Sequence, residues 1–116
     1  MTSQPTPFTL TVENGRDTVC LRLTGDLDHH TGDLVVEQAE ECLTGRPGLR
    51  DLILDCTGMT FCDSIGISSL LMIHRKTTAH SVRLHVEHQP PFLRRLLDIT
   101  GVQQLFTHPH LSRRAG

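Results

Sequence analysis

The arrangement in this chain best suited to chemistry is Asp63-Ser64-Ile65-Gly66, a serine hydroxyl beside a carboxylate at the head of a long helical pattern. Asp or Ser at a helix start accepts hydrogen bonds from backbone N–H groups that lack partners in the first turn. Set on a wheel at about 3.6 residues per turn, residues 64–79 place Gly66, Ile67, Leu70, Ile73 and Thr77 on one side, expected to face a sheet. Ser64, Ser68, Leu71 and Arg75 form the opposite stripe, with Met72 beside it. Two hydroxyls, two large apolar groups and a guanidinium form the kind of surface that protein interfaces use. Leu71 as peripheral core is the competing reading. Asp26, Asp28 and Asp63 are expected to rim the same spot and suit basic groups on a partner.

Other chemistry finds less support. Asp28-His29-His30, with Asp33 nearby, could suggest a metal site, but adjacent loop residues rarely converge on one ion and no second histidine-acid cluster follows. Loop capping explains them better, and His108-x-His110 is weaker still. Ser64 lacks the Gly-x-Ser-x-Gly elbow of a catalytic nucleophile, and no Walker or dinucleotide-type glycine loop is present. His74 reads as a partly buried side chain rather than a base. No catalytic residue, metal site or cofactor is therefore expected.

The elements that must position Ser64 follow from periodicity. Phe8, Leu10 and Val12 alternate with polar residues, and Val19, Leu21 and Leu23 alternate again after the turn signal Asn14-Gly15-Arg16-Asp17, which predicts a hairpin. A loop is expected over 25–30, then a helix over about 32–43 capped by Thr31 or Asp33. In it Leu34, Val35, Ala39, Cys42 and Leu43 face inward and Glu37, Glu40 and Glu41 outward. Leu52-Ile53-Leu54 reads as a central strand, 57–63 as a second loop, and Val82, Leu84 and Val86 as another strand whose Arg83, His85 and Glu87 alternate with them. Pro90-Pro91 opens a helix over 91–100 ended by Gly101, and Val102 to Phe106 is expected as a short last strand. The sum is a single α/β domain: a mixed sheet of four to five strands with three to four helices packed on it. In parallel sheets sites lie beyond the carboxyl ends of strands, so loops 25–30 and 57–63 should be neighbours.

Composition narrows the function classes. The 116 residues suit one domain, with 37% hydrophobic and 21% charged residues and a net charge of −2. That charge argues against nucleic acid or an anionic membrane as partner. No apolar run approaches the roughly 20 residues of a membrane span, and no secretory signal is visible, so a cytoplasmic protein is expected. Cys20, Cys42, Cys56 and Cys62 form no Cys-x-x-Cys pair and read as free thiols.

Three blocks carry a specific resemblance. Arg22-Leu-Thr-Gly-Asp-Leu-Asp-His-His-Thr31, followed by an amphipathic helix, resembles the start of the STAS domain of bacterial anti-sigma factor antagonists, with the sporulation type as the nearest pattern. Phe61-Cys-Asp-Ser-Ile-Gly66 resembles that family's Asp-Ser-Ser/Thr-Gly phosphorylation motif, and Leu93-Arg-Arg-Leu-Leu-Asp-Ile-Thr-Gly-Val102 resembles its last conserved segment. The likeness covers about 8–107, leaving 1–7 as an expected polar tail and 108–116 as a flexible one.

The resemblance implies partner switching. An unphosphorylated antagonist binds an anti-sigma factor and frees a sigma factor; the anti-sigma factor, a serine kinase, phosphorylates the motif serine, here Ser64; a metal-dependent serine/threonine phosphatase resets it. Asp26 and Asp63 match positions flanking the phosphorylation site. The kinase brings its own ATP and Mg²⁺, so no cofactor is implied, and a monomer is expected. Ile65 replaces the usual second hydroxyl, and Met72 stands where the nearest relatives carry Gly. The alternative is a STAS subunit built permanently into a transporter-associated or stress-signalling assembly.

Overall fold

The computed structural model describes residues 8–106; the expected tails at 1–7 and 108–116 lie outside them. Four strands, three α-helices and one 3₁₀ turn follow in the order β1 (Thr9–Asn14), β2 (Thr18–Leu27), α1 (His29–Gly45), β3 (Asp51–Cys62), α2 (Ser64–Ala79), β4 (Arg83–Glu87), α3 (Pro91–Thr100) and a 3₁₀ turn at Gln103–Phe106. The sheet order is β1-β2-β3-β4. β1 pairs antiparallel with β2 as the expected hairpin, whereas β2–β3 and β3–β4 are parallel. Helical crossovers join the parallel strands, which makes this the mixed sheet that the sequence implies.

The core follows the period-2 pattern. Val19, Leu21 and Leu23 of β2, Leu52 and Leu54 of β3, and Leu84 and Val86 of β4 are buried together with Val35, Ala39 and Leu43 of α1 and Ile67, Leu70 and Ile73 of α2. α1 and α2 run side by side in the same direction. Gly32 lies against Ser69 at one level, and Lys76 Nζ meets Glu40 Oε1 at 2.5 Å two turns further on. A side chain at Gly32 would collide with the Ser69 hydroxyl, so the glycine sets how closely the two helices approach.

Several expectations change. Residues 25–30 and 57–63 are not loops: β2 continues to Leu27 and β3 to Cys62, paired Thr24↔Gly58, Gly25↔Met59, Asp26↔Phe61 and Leu27↔Cys62. Two register shifts, at Arg22/Thr24 and Gly25/Asp26, each put one extra residue into β3. These bulges break the alternation that would have marked a strand. α1 begins at His29 rather than near residue 32, because Asp28 is its cap and neither Thr31 nor Asp33 is. Leu34 points outward, 43% exposed, and Val36 takes its expected place inside. His85 is only 3% exposed, since its Nε2 meets Asp51 Oδ1 at 2.8 Å instead of facing water. Val102–Phe106 forms no strand; its last four residues make the 3₁₀ turn, which buries Phe106 edge-on against His74. α2 and α3 occupy their expected spans, and Gly101 ends α3 at φ 78°, a left-handed position that suits glycine.

Candidate functional site

The last paired residues of β2 and β3, Leu27 and Cys62, bring the starts of α1 and α2 to one edge of the sheet. Asp28 and Asp63 each stand one residue beyond that pair, and each caps its helix. Gly66 completes the junction. A side chain there would lie 2.5 Å from the Leu27 carbonyl oxygen and 2.8 Å from Cys62 Sγ, so α2 can settle onto the end of β2 only with glycine at this position.

The three carboxylates expected around Ser64 all reach this edge, and each is already engaged. Thr60 Oγ1 donates to Asp26 Oδ1 at 2.6 Å. Asp28 Oδ1 accepts from the His30 and Thr31 backbone N–H groups at 3.1 Å each. Asp63 Oδ1 accepts from the Gly66 N–H at 2.8 Å. The bond from the Thr31 N–H, with those from the Thr31 hydroxyl and the His30 N–H, holds the Asp28 carboxyl below the usual carboxylate range. The acidic rim therefore organises the backbone of the edge as well as charging it.

Ser64 is the first residue of α2 and is exposed. Its hydroxyl makes no hydrogen bond among the described residues. Its carbonyl accepts from Ser68 Oγ at 3.2 Å, which links the two serines of the stripe. Ser68, Met72 and Arg75 are exposed as expected, with Met72 at 45%, while Leu71 is half-buried and packs against the core. The opposite face buries Gly66, Ile67, Leu70, Ile73 and Thr77 as expected, and also Ser69, which the wheel had not placed inside.

Two side chains beside Ser64 were not expected as surface. Phe61 is 49% exposed and Ile65 50% exposed. The signal for Phe61 was its place next to inward-facing Cys62, hidden by the bulges in β3. The signal for Ile65 was its neighbour Gly66, which must face the sheet and so turns residue 65 away. Burial pushes the Cys62 thiol up to about 12, so the sulfur beside the site is a packing group and not a nucleophile. The described residues contain no group of three or more His, Cys, Asp or Glu placed to hold a metal ion. No helix among them is long and apolar enough to cross a membrane.

The comparisons with known proteins agree with this architecture. The family model "STAS domain" matches residues 9–114. An anti-sigma F factor antagonist from Paenibacillus polymyxa is 31% identical over 91 residues, spanning 78% of this chain and 77% of that protein. The structure of the anti-sigma factor antagonist SpoIIAA in its unphosphorylated form superposes with a TM-score of 0.64 at 25% identity, over 80% of this chain and 83% of that one. The phosphorylated form of the Bacillus cell fate determinant SpoIIAA gives 0.67 at 24% identity, over 87% and 89%. With its sheet order, its glycine-seated helix junction and its Asp-Ser helix start, the chain belongs to the STAS-domain family.

Proposed function

We propose that this protein is a cytoplasmic anti-sigma factor antagonist that acts by binding and catalyses nothing itself. Its unphosphorylated form binds an anti-sigma factor with serine-kinase activity and thereby frees a sigma factor. Phosphorylation of Ser64 ends that binding, and a metal-dependent serine/threonine phosphatase restores it. The observation that carries the reading is the exposed hydroxyl of Ser64 at the first position of α2, which makes no hydrogen bond among the described residues. A kinase can reach it without unfolding anything, because the cap is supplied by Asp63 and not by Ser64. The contact surface includes Asp26, Asp28, Asp63, Ser64, Ser68, Leu71, Met72 and Arg75. The named relatives, an anti-sigma F factor antagonist and SpoIIAA in two phosphorylation states, support this reading.

The test uses the purified chain, its anti-sigma factor and Mg–ATP. Mass spectrometry should find one phosphate, on Ser64, and calorimetry should find a complex only with the unphosphorylated chain. Phosphate at another residue would remove Ser64 from the switch. Equal binding before and after phosphorylation would instead favour the permanently assembled STAS subunit.

A further inference from the structure

Beyond the carboxyl end of β4 lies an open surface hollow of about 580 Å³, lined by Val86, His88, Gln89, Arg94, Asp98 and Gln103, of which His88, Arg94 and Asp98 are exposed. It shares Gln89, Arg94 and Asp98 with a second hollow of about 480 Å³ along α3, to which Pro91, Arg95 and Ile99 contribute. None of these residues belongs to α2 or to the edge around Ser64. Cavities of roughly 300–1,000 Å³ hold small molecules, and parallel sheets hold them at the carboxyl ends of their strands.

The lining is organised. Gln89 and Gln103 exchange two amide hydrogen bonds of 2.9 Å each, and Gln89 Nε2 also donates to the Val86 carbonyl at 3.0 Å, which fixes one wall. The Arg94 guanidinium makes no hydrogen bond or ion pair among the described residues, although Asp98 follows it by one helical turn. Arginine ahead of aspartate is the weaker orientation for such a pair on a helix, consistent with an open guanidinium. Among the described residues, the Asp98 carboxylate receives a single bond, of 3.4 Å, from Gln103. α3 begins without a side-chain cap. In a chain of net charge −2, this corner holds two arginines and a histidine against one carboxylate.

We propose that the cavity binds a small organic anion, a carboxylate or phosphate monoester that also carries a hydroxyl. Arg94 takes the anion as a charge-assisted pair, and Asp98 accepts the hydroxyl. The site gives the protein a second input, separate from Ser64 and independent of the partner reading. Glycerol 3-phosphate and malate are the probes, since both carry the shared anion and hydroxyl, and glycerol is the control without an anion. Titrated into the isotope-labelled full chain, one or both anions should shift the amide resonances of His88, Gln89, Arg94, Asp98 and Gln103 saturably, while glycerol should not. Arg94→Gln should weaken binding about tenfold, the loss of one charge-assisted hydrogen bond, with Arg94→Lys intermediate and the rest of each spectrum unchanged. Absence of a saturable shift with both anions would overturn the proposal. So would equal binding to wild type and Arg94→Gln, or shifts centred on Ser64.

Discussion

The starts of α1 and α2 stand side by side, both behind an aspartate cap, yet they are finished differently. At α1 the cap is closed: Asp28 accepts from two backbone N–H groups, and the Thr31 hydroxyl answers by accepting from the Asp28 N–H at 2.9 Å. That hydroxyl, almost buried, also donates to the Asp26 carbonyl at 2.7 Å. At α2 the cap is minimal. The Asp63 carboxylate accepts one bond among the described residues, from Gly66, and the glycine has no side chain with which to return it. The closed start spends its polar groups on the fold, while the open one leaves the Ser64 hydroxyl without a partner among the described residues, with Phe61 and Ile65 exposed nearby in the chain. Under the antagonist reading, the open start is where regulation can act at little cost to stability.

The largest effect should come from charging the open start. Phosphate adds about −1.5 to −2 charges at pH 7, and the helix dipole largely compensates locally, so the fold survives. In the complex, a like charge near 4 Å costs about 4 kcal/mol at an effective dielectric of 20, or close to a thousandfold in affinity. Ser64→Ala should bind and never release. Ser64→Asp and Ser64→Glu should fold normally and bind poorly, in part mimicking phosphate. Calorimetry with the anti-sigma factor decides, and wild-type affinity in both acidic variants and in phosphorylated protein would end the switch.

Next comes the seat beneath that start. Gly66→Ala sets a methyl against the Leu27 carbonyl and Cys62 Sγ. Backbone cannot swing aside as a side chain can, so overpacking should cost about 1–3 kcal/mol, read as a lower denaturation midpoint. Gly32→Ala, in the first turn of α1, meets the Ser69 side chain instead and should cost less. Equal losses would mean that the two helix starts are seated alike.

The stripe of α2 should then divide. Leu71→Ala should lose stability, though less than the roughly 2–5 kcal/mol expected for a fully buried leucine such as Leu70, because Leu71 is only half-buried. Met72→Ala should leave the midpoint almost unchanged and weaken partner binding. A large stability loss at Met72, or none at Leu71, would reverse that division.

These differences track what the sequence could reveal. α2 was legible to the residue because its apolar face, Asp-Ser start and polar end agree. The core leucines of β2 and β3 followed from alternation. The ends of those strands were hidden, since the two bulges in β3 shift the period and Gly25 and Gly58 read as turn residues. The cap of α1 was missed by a few residues because Asp28, Thr31 and Asp33 all suit the role, and only the closed box shows which holds it. The stripe carrying Ser64 was visible, whereas Phe61 and Ile65 emerged only once Cys62 and Gly66 were known to face inward. His85 alternates as a surface residue, and its burial depends on Asp51 one strand away.

The smallest effect concerns acid. The hydrogen bonds at the closed start hold the folded-state pKa of Asp28 below its ordinary value of 3.8. A carboxylate depressed in the folded state stabilises above its unfolded value, and that contribution fades as pH falls through the folded one. The closed cap should therefore be at full strength at neutral pH and weaken only on the acid limb, from about pH 5 downward. Asp28→Asn keeps a capping oxygen but cannot titrate, so its stability should fall less steeply with acid than that of the wild type. The slope should flatten without vanishing. Asp51 and Asp55 also titrate low: burial pushes both upward, but the bonds from His85 and Arg83 to Asp51, and from Thr57 and Arg22 to Asp55, outweigh it. Because the Asp28 carboxylate faces water, salt should shrink the difference further. Denaturation of both proteins across the acid range measures it, and parallel curves would mean that the closed start is held by its geometry alone and not by the charge on Asp28.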